Sequence, residues 1–202
     1  MLQAKVLADR LYCGEGIAAD AVRIAAANVL LALCAHIVIP LPFTPVPITG
    51  QTFGVLLIAA MLGARRSAIA LVFYLLEGLA GLPVFQPLGV PGPARFMGPT
   101  AGYLVAYPLA AFVTGWLVER AAAATLPRAF RWQPAGAVLA GALFCGEAII
   151  FLGGWAWLAF GMRLGWPAAF RAGVIPFVPG EIIKMALIVA LLGSFAMFRR
   201  EV

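Results

Sequence analysis

The chain has 202 residues, of which 64% are hydrophobic and only 11% charged, and its mean hydropathy is +1.02. A soluble domain of this length needs far more charge to cover its surface, so the composition excludes one and predicts an all-α polytopic membrane protein. The formal net charge of +6 then reflects orientation in the bilayer and calls for no nucleic acid as a partner.

Residues Met1 to Asp20 mix charged and apolar side chains and show no cleavable signal-peptide pattern. Six apolar runs follow, at Ala21–Ile39, Gly50–Leu62, Ala68–Leu79, Ala101–Val118, Ala135–Phe160 and Glu181–Phe198. They predict six transmembrane helices in a single integral membrane domain over residues 1–202. The second and third runs are short, about 20 Å of helix against a hydrocarbon core of about 30 Å. Gly63-Ala64-Arg65-Arg66 separates them as a tight turn at the surface. The three cysteines, Cys13, Cys34 and Cys145, are scattered and read as unpaired thiols.

Along these runs the polar residues are few. In the first, Asn28, Ala32 and His36 share one helical stripe, which reads as hydrogen-bonding glue between helices. Glu77, at the end of the third, reads as a solvated or capping residue. The fourth repeats small residues at every fourth position, Gly102, Ala106, Ala110 and Thr114, a stripe that lets another helix come close. The first carries a weaker one, Ala21, Ala25, Ala32 and Ala35, on which a second protein could dock. Glu147 stands deep inside the fifth run. It is either neutral, facing a wet cavity or paired, and the sequence leaves these three open.

Glu181 and Lys184 open the sixth run. A helix starting at Pro179-Gly180 sets both on one face, in the first turn and a half. Charges borne by a membrane helix are costly and by default mark a ligand or ion site, although a self-satisfied ion pair that fixes packing is the alternative. A paired donor and acceptor suits a small polar ligand.

With both termini cytoplasmic, the inner side receives Lys5, Arg10, Arg23, Arg65, Arg66, Arg120, Arg128, Arg131, Arg199 and Arg200, and the outer side only Arg95, Arg163 and Arg171. Ten against three is a clear positive-inside bias, so the Glu181–Lys184 pair opens outward. The outer loops, Pro40 to Thr49, Gly81 to Thr100 and Gly161 to Gly180, are rich in Pro, Gly and aromatic residues, as expected of a lid over a cavity. Each ends in a helix-start signal, so three helix N-termini face that cavity, either as ordinary caps or as donors to an anion or carbonyl.

Two kinds of chemistry are missing. No GxxxxGK[ST] phosphate loop occurs, since the only lysines are Lys5 and Lys184 and neither follows Gly. One histidine leaves no room for a His-based metal site, and no nucleophile–base pair appears, so the chain does not read as an enzyme and implies no cofactor.

Three segments together resemble the BioY family: Pro45-Val46-Pro47-Ile48-Thr49-Gly50-Gln51-Thr52-Phe53-Gly54-Val55, then Gly81-Leu82-Pro83-Val84-Phe85 with Gly98-Pro99-Thr100-Ala101-Gly102-Tyr103-Leu104, then Pro179-Gly180-Glu181-Ile182-Ile183-Lys184. The resemblance covers about residues 21 to 198 in order and spacing. It implies a substrate-capture (S) component of an energy-coupling-factor transporter in a bacterial inner membrane, with biotin as the transported ligand. The implied partners are a transmembrane coupling subunit and two cytoplasmic ATPase subunits, which agrees with the missing phosphate loop. By the same resemblance Glu181 and Lys184 face the ureido ring. Arg95 takes the valerate carboxylate, and Gln86 and Gln51 stand at polar positions of the matching motifs. The acid is Glu where relatives often have Asp, and Ala101-Gly102 stands where the family has Gly-Gly.

Biotin chemistry suits these side chains. Glu181 can accept from a ureido N–H, Lys184 can donate to the carbonyl, and Arg95 can fork a carboxylate. Phe43, Phe85, Tyr103 and Trp157 are candidates for the apolar walls. The rival reading is a self-sufficient secondary transporter or facilitator of a small organic anion, in which Glu147 would be the coupling carboxylate.

Overall fold

The computed structural model of the chain describes residues 16–123 and 133–198. Lys5, Arg10, Cys13, Arg128, Arg131, Arg199 and Arg200, and with them both termini, lie outside the described residues. Helix α1 spans Ile17–His36. A two-residue antiparallel pair follows, β1 (Val38–Ile39) with β2 (Ile48–Thr49), in the register Val38 to Thr49 and Ile39 to Ile48. Then come α2 (Gln51–Leu79), a short 3-10 turn (Gly92–Met97) and α3 (Ala101–Ala123). Helix α4 (Gln133–Ala156) runs on into a π turn (Trp157–Gly161), followed by α5 (Trp166–Gly173) and α6 (Val178–Phe198).

Among the described residues, four helices, α1 to α4, are long and apolar enough to cross a membrane. Helices α5 and α6, bent by 48° at their junction, make a fifth when taken as one span. Their outer surfaces carry large apolar side chains, among them Val29, Phe73, Val105, Phe144 and Ile183, all about half exposed or more. Such a surface is a liability in water and the ordinary one against lipid tails. Leu31, Leu71, Tyr74, Ile150 and Leu158 fill the centre with no exposure at all.

Helix α2 is a hairpin of two helical arms. Gln51 Nε2 donates to the Tyr74 hydroxyl at 2.8 Å, although on a straight helix their separation would be about 34 Å. The chain reverses at one residue, Gly63, with φ 77° and ψ −177°. The turn is therefore shorter than the sequence predicts: the second arm begins at Ala64, not Ala68, and Arg65 and Arg66 are already helical. Helix α3 holds the reversal. Glu119 accepts the Ala64 backbone N–H at 2.9 Å, which caps the new arm, and the Ser67 hydroxyl reaches Gly63 O and Ala111 O. Gly115 makes the approach feasible, because a Cβ there would lie 2.5 Å from the Ala64 nitrogen.

Beyond the arms, the same end is tied by Asp20, which pairs with Arg23 at 2.7 Å and with Arg66 at 2.9 Å. The small-residue stripe of α3 packs inside the chain, against α4. A Cβ on Gly153 would sit 2.7 Å from Ala106 Cβ and from Gly102 O. Two readings of polar residues need correction. Glu77 is not a solvated cap, because Asn28 Nδ2 donates to its carboxylate at 2.9 Å and joins α1 to α2. His36 is exposed and its Nδ1 lies 2.8 Å from Ala32 O of its own helix, so Asn28 alone of that stripe makes the interhelical bond.

The conformation of Gly63 belongs to a region that side-chain-bearing residues scarcely enter. Gly63→Ala is expected to cost about 1–3 kcal/mol. A thermal melt of the purified protein in detergent should show the drop, and an unchanged midpoint would mean that the reversal tolerates a Cβ.

Candidate ligand-binding site

The helix starts of α2 and α6 meet at one end of the bundle, and a polar knot joins them. Helix α6 begins at Val178, one residue before the expected Pro179-Gly180 start, which keeps Glu181 and Lys184 in its first two turns. Lys184 Nζ donates to Glu181 Oε1 at 2.7 Å, to Thr49 O at 2.6 Å and to the Thr52 hydroxyl at 2.9 Å. Thr52 in turn donates to Glu181 Oε2 at 2.7 Å. All three ammonium protons and both carboxylate oxygens therefore have partners. This satisfies the demand that a buried ion pair be fully hydrogen-bonded, and it makes the pair a tie between α2 and α6. Thr52 and Thr49 lie within the motif around Gln51. Nothing local to their carbonyl and hydroxyl shows a lysine arriving from residue 184.

Two neighbouring cavities open at this end. The larger, about 390 Å³, lies between the Pro40–Pro47 stretch and the loop from Gln86 to Thr100, with Arg95 in its wall. That volume falls in the range of small-molecule pockets, roughly 300–1,000 Å³. The smaller, about 40 Å³, is deeper and bounded by α2, α3, α4 and α6, with Thr52, Tyr103, Glu147 and Glu181 in its wall. Pro47 and Thr100 belong to both walls, so the two chambers adjoin.

Arg95 is 6% exposed. Its Nη1 donates to Leu88 O and its Nη2 to Gln86 O, each at 2.6 Å, which staples the loop across its own turn. Gly89, at φ 101°, gives the guanidinium room, because a Cβ there would meet Nη1 at 2.9 Å. Burial lowers the Arg95 pKa, but a guanidinium keeps its charge at neutral pH. Two of its five N–H donors are engaged in these bonds and its Nε makes none among the described residues, so capacity for an anion remains.

The other expected residues divide. Gln86 lines the large cavity, while its side-chain oxygen accepts the Leu88 N–H at 2.7 Å. Gln51 borders the small one and is held by Tyr74 and by the Thr49 hydroxyl at 3.4 Å. Tyr103 borders it too and donates to Gly173 O at 2.6 Å, tying α3 to the end of α5. Phe85 is buried edge-on between Tyr74 and Phe96, behind the loop and outside both walls. Trp157 donates to Gly98 O at 2.8 Å and steadies the loop without lining either cavity. Phe43 is 68% exposed and points away from both. The nearby residue that engages instead is Thr44, whose hydroxyl donates to Ala172 O at 2.7 Å and seats the first loop on α5.

Known proteins resemble this chain over most of its length. The sequence profile of the BioY family matches residues 5–200. A biotin transporter BioY of Rhizobium etli is 42% identical over 79% of this chain and 82% of its own. Its counterpart in Rhodobacter capsulatus is 34% identical over 84% of this chain and 93% of its own. A crystal structure of the S-component for biotin from an ECF-type ABC transporter superposes with a TM-score of 0.75 at 25% identity, over 88% of this chain and 90% of that one. A multi-pass helical membrane protein with this sequence and this fold belongs to the BioY family.

Proposed function

We propose that the chain captures biotin with high affinity at the outer face of a bacterial inner membrane and delivers it to an ATP-driven importer. It performs no reaction of its own. The observation that carries this reading is the pair of adjoining chambers: a small polar one beside the Glu181–Lys184–Thr52 knot, and a larger one walled by Arg95. Biotin has the same division, a hydrogen-bonding ring at one end and a carboxylate at the other. The ring meets Glu181 and Lys184, whose contacts with each other and with Thr52 exchange for contacts with the ureido group. The carboxylate meets the free donors of Arg95, with Gln86 at its side, while Tyr103 contributes an apolar wall and Gln51 fixes the floor. Phe85 and Trp157 act at most through the loops they steady, and Phe43 takes no part.

The relatives named as biotin transporters and the biotin S-component with the same fold support the ligand. For the architecture we count both arms of α2 and the α5–α6 pair, which gives six crossings in a single domain over residues 1–202. The excess of cations at the Arg23, Arg65, Arg66 and Arg120 end supports a cytoplasmic location for both termini. Energy must then come from elsewhere, because the chain has no phosphate loop. Its partners are a transmembrane coupling subunit and two cytoplasmic ATPase subunits.

Calorimetric titration of the purified chain with biotin, without nucleotide, should give tight binding, and a flat titration overturns the assignment. Lys184→Met should weaken binding by roughly 2–5 kcal/mol, because Glu181 is left buried and unpaired. Loss of folded yield, with normal binding by the protein that survives, would make the pair purely structural.

The carboxylate contact is tested by comparing biotin with its methyl ester. The unmodified chain should prefer the acid, and Arg95→Gln should erase that preference. In liposomes, the chain should accumulate biotin against a gradient only with the ATPase module present. Accumulation by the chain alone would favour a secondary transporter.

A further inference from the structure

Glu147 is the one carboxyl in the wall of the small cavity without a hydrogen-bond partner among the described residues. It sits in the middle of α4, is 3% exposed, and neither carboxylate oxygen makes a hydrogen bond among the described residues. A buried carboxyl in that condition is costly, and burying one in a membrane helix is costlier still. No side chain in the same wall donates to it among the described residues. The three protons of Lys184 go to Glu181, Thr49 and Thr52, the Thr52 proton goes to Glu181, and the Tyr103 proton goes to Gly173. The backbone holds it there. Gly146, the preceding residue, lets α4 seat against Thr114 of α3 and Leu56 of α2, a contact that any Cβ would obstruct.

Resting on the biotin reading above, we infer that Glu147 is a second acceptor for the ligand's ring, so that one ring N–H is taken by Glu181 and the other by Glu147. The chemical class follows from the walls. Two acid side chains border one chamber of about 40 Å³: Glu147 has no donor among the described residues and Glu181 has those of Lys184 and Thr52, and a cyclic urea, with an N–H on each side of its carbonyl, can serve both. Lys184, the cation beside this chamber, is already paired with Glu181, whereas Arg95 keeps unused donors, so a ligand with one ring end and one acid end leaves its acid beside Arg95.

The test uses the purified full-length chain with biotin and its two mono-N-methylated ureido derivatives, in which one ring donor or the other is blocked. In the unmodified chain each derivative should bind about tenfold or more weaker than biotin. Glu147→Gln should weaken biotin about tenfold and Glu147→Leu about a hundredfold. In Glu147→Leu one derivative should lose its handicap relative to biotin while the other keeps it. Folded variants that bind biotin like the unmodified chain, with both handicaps intact, would overturn the inference and leave Glu147 bonded to water or merely packed. If neither variant folds, the unmodified chain still decides, because a derivative that binds as well as biotin has blocked a donor that no acceptor uses. A failure of the biotin reading itself looks different: the unmodified chain would bind none of the three compounds.

Discussion

An ammonium group at the start of a membrane helix must find three acceptors or not be there at all, and Lys184 finds one on its own helix and two on the stretch from Thr49 to Thr52. Its bonds to Thr49 and Thr52 hold the start of α6 against the start of α2, and Thr52 completes the circuit to Glu181. The positions of the polar chamber, the first loop and the 3-10 turn all follow from where these two helix starts meet. The loop is seated on α5 through Thr44, and the segment after Gln86 is stapled by Arg95. Low dielectric gives these contacts their weight, since each group left without a partner here costs more than it would in water.

The two ends of the bundle solve opposite problems. At the far end the task is closure: Gly63 reverses the chain, Glu119 caps the new arm and Asp20 joins two arginines. Those contacts are made among neighbouring helices. At the site end the helices spread, and irregular backbone with bound side chains roofs the gap. Irregular backbone is tolerated in a membrane protein where protein buries it or where it lines a cavity, and the loops here do both.

Much of this was legible in the residues, for reasons that can be named. The spans stand out because apolar runs in this chain are bounded by Pro, Gly and charge. Glu181 and Lys184 stand out because three residues along a helix place them side by side whatever the tertiary fold. Glu147 stands out because an acid inside an apolar run has no local explanation. What stayed hidden depends on distance along the chain. Nothing near Glu77 shows that Asn28, 49 residues away, will meet it, so a buried bond reads as a cap. Nothing near Phe43 shows that its side chain turns outward while Thr44 does the seating. The arginines after Gly63 suggest a longer surface turn than the one that forms, because they are carried on a helix whose first N–H is capped from α3.

The long reach of the site contacts also dictates an order of assembly. Packing of α2 on α3 and of α3 on α4 joins segments that follow one another in the sequence and so needs little loop closure. The bonds from Thr44 to Ala172, Thr52 to Glu181 and Lys184 to Thr49 span 128, 129 and 135 residues. Contacts of such sequence separation form after local ones, because their closure entropy is met only when the intervening helices are already in place. During synthesis the first loop and the start of α2 therefore wait in the membrane, without their lysine, until the last helix has been inserted. Any truncation that removes α6 takes away the Lys184 knot but none of the residues of the α2 hairpin and its α3 clamp.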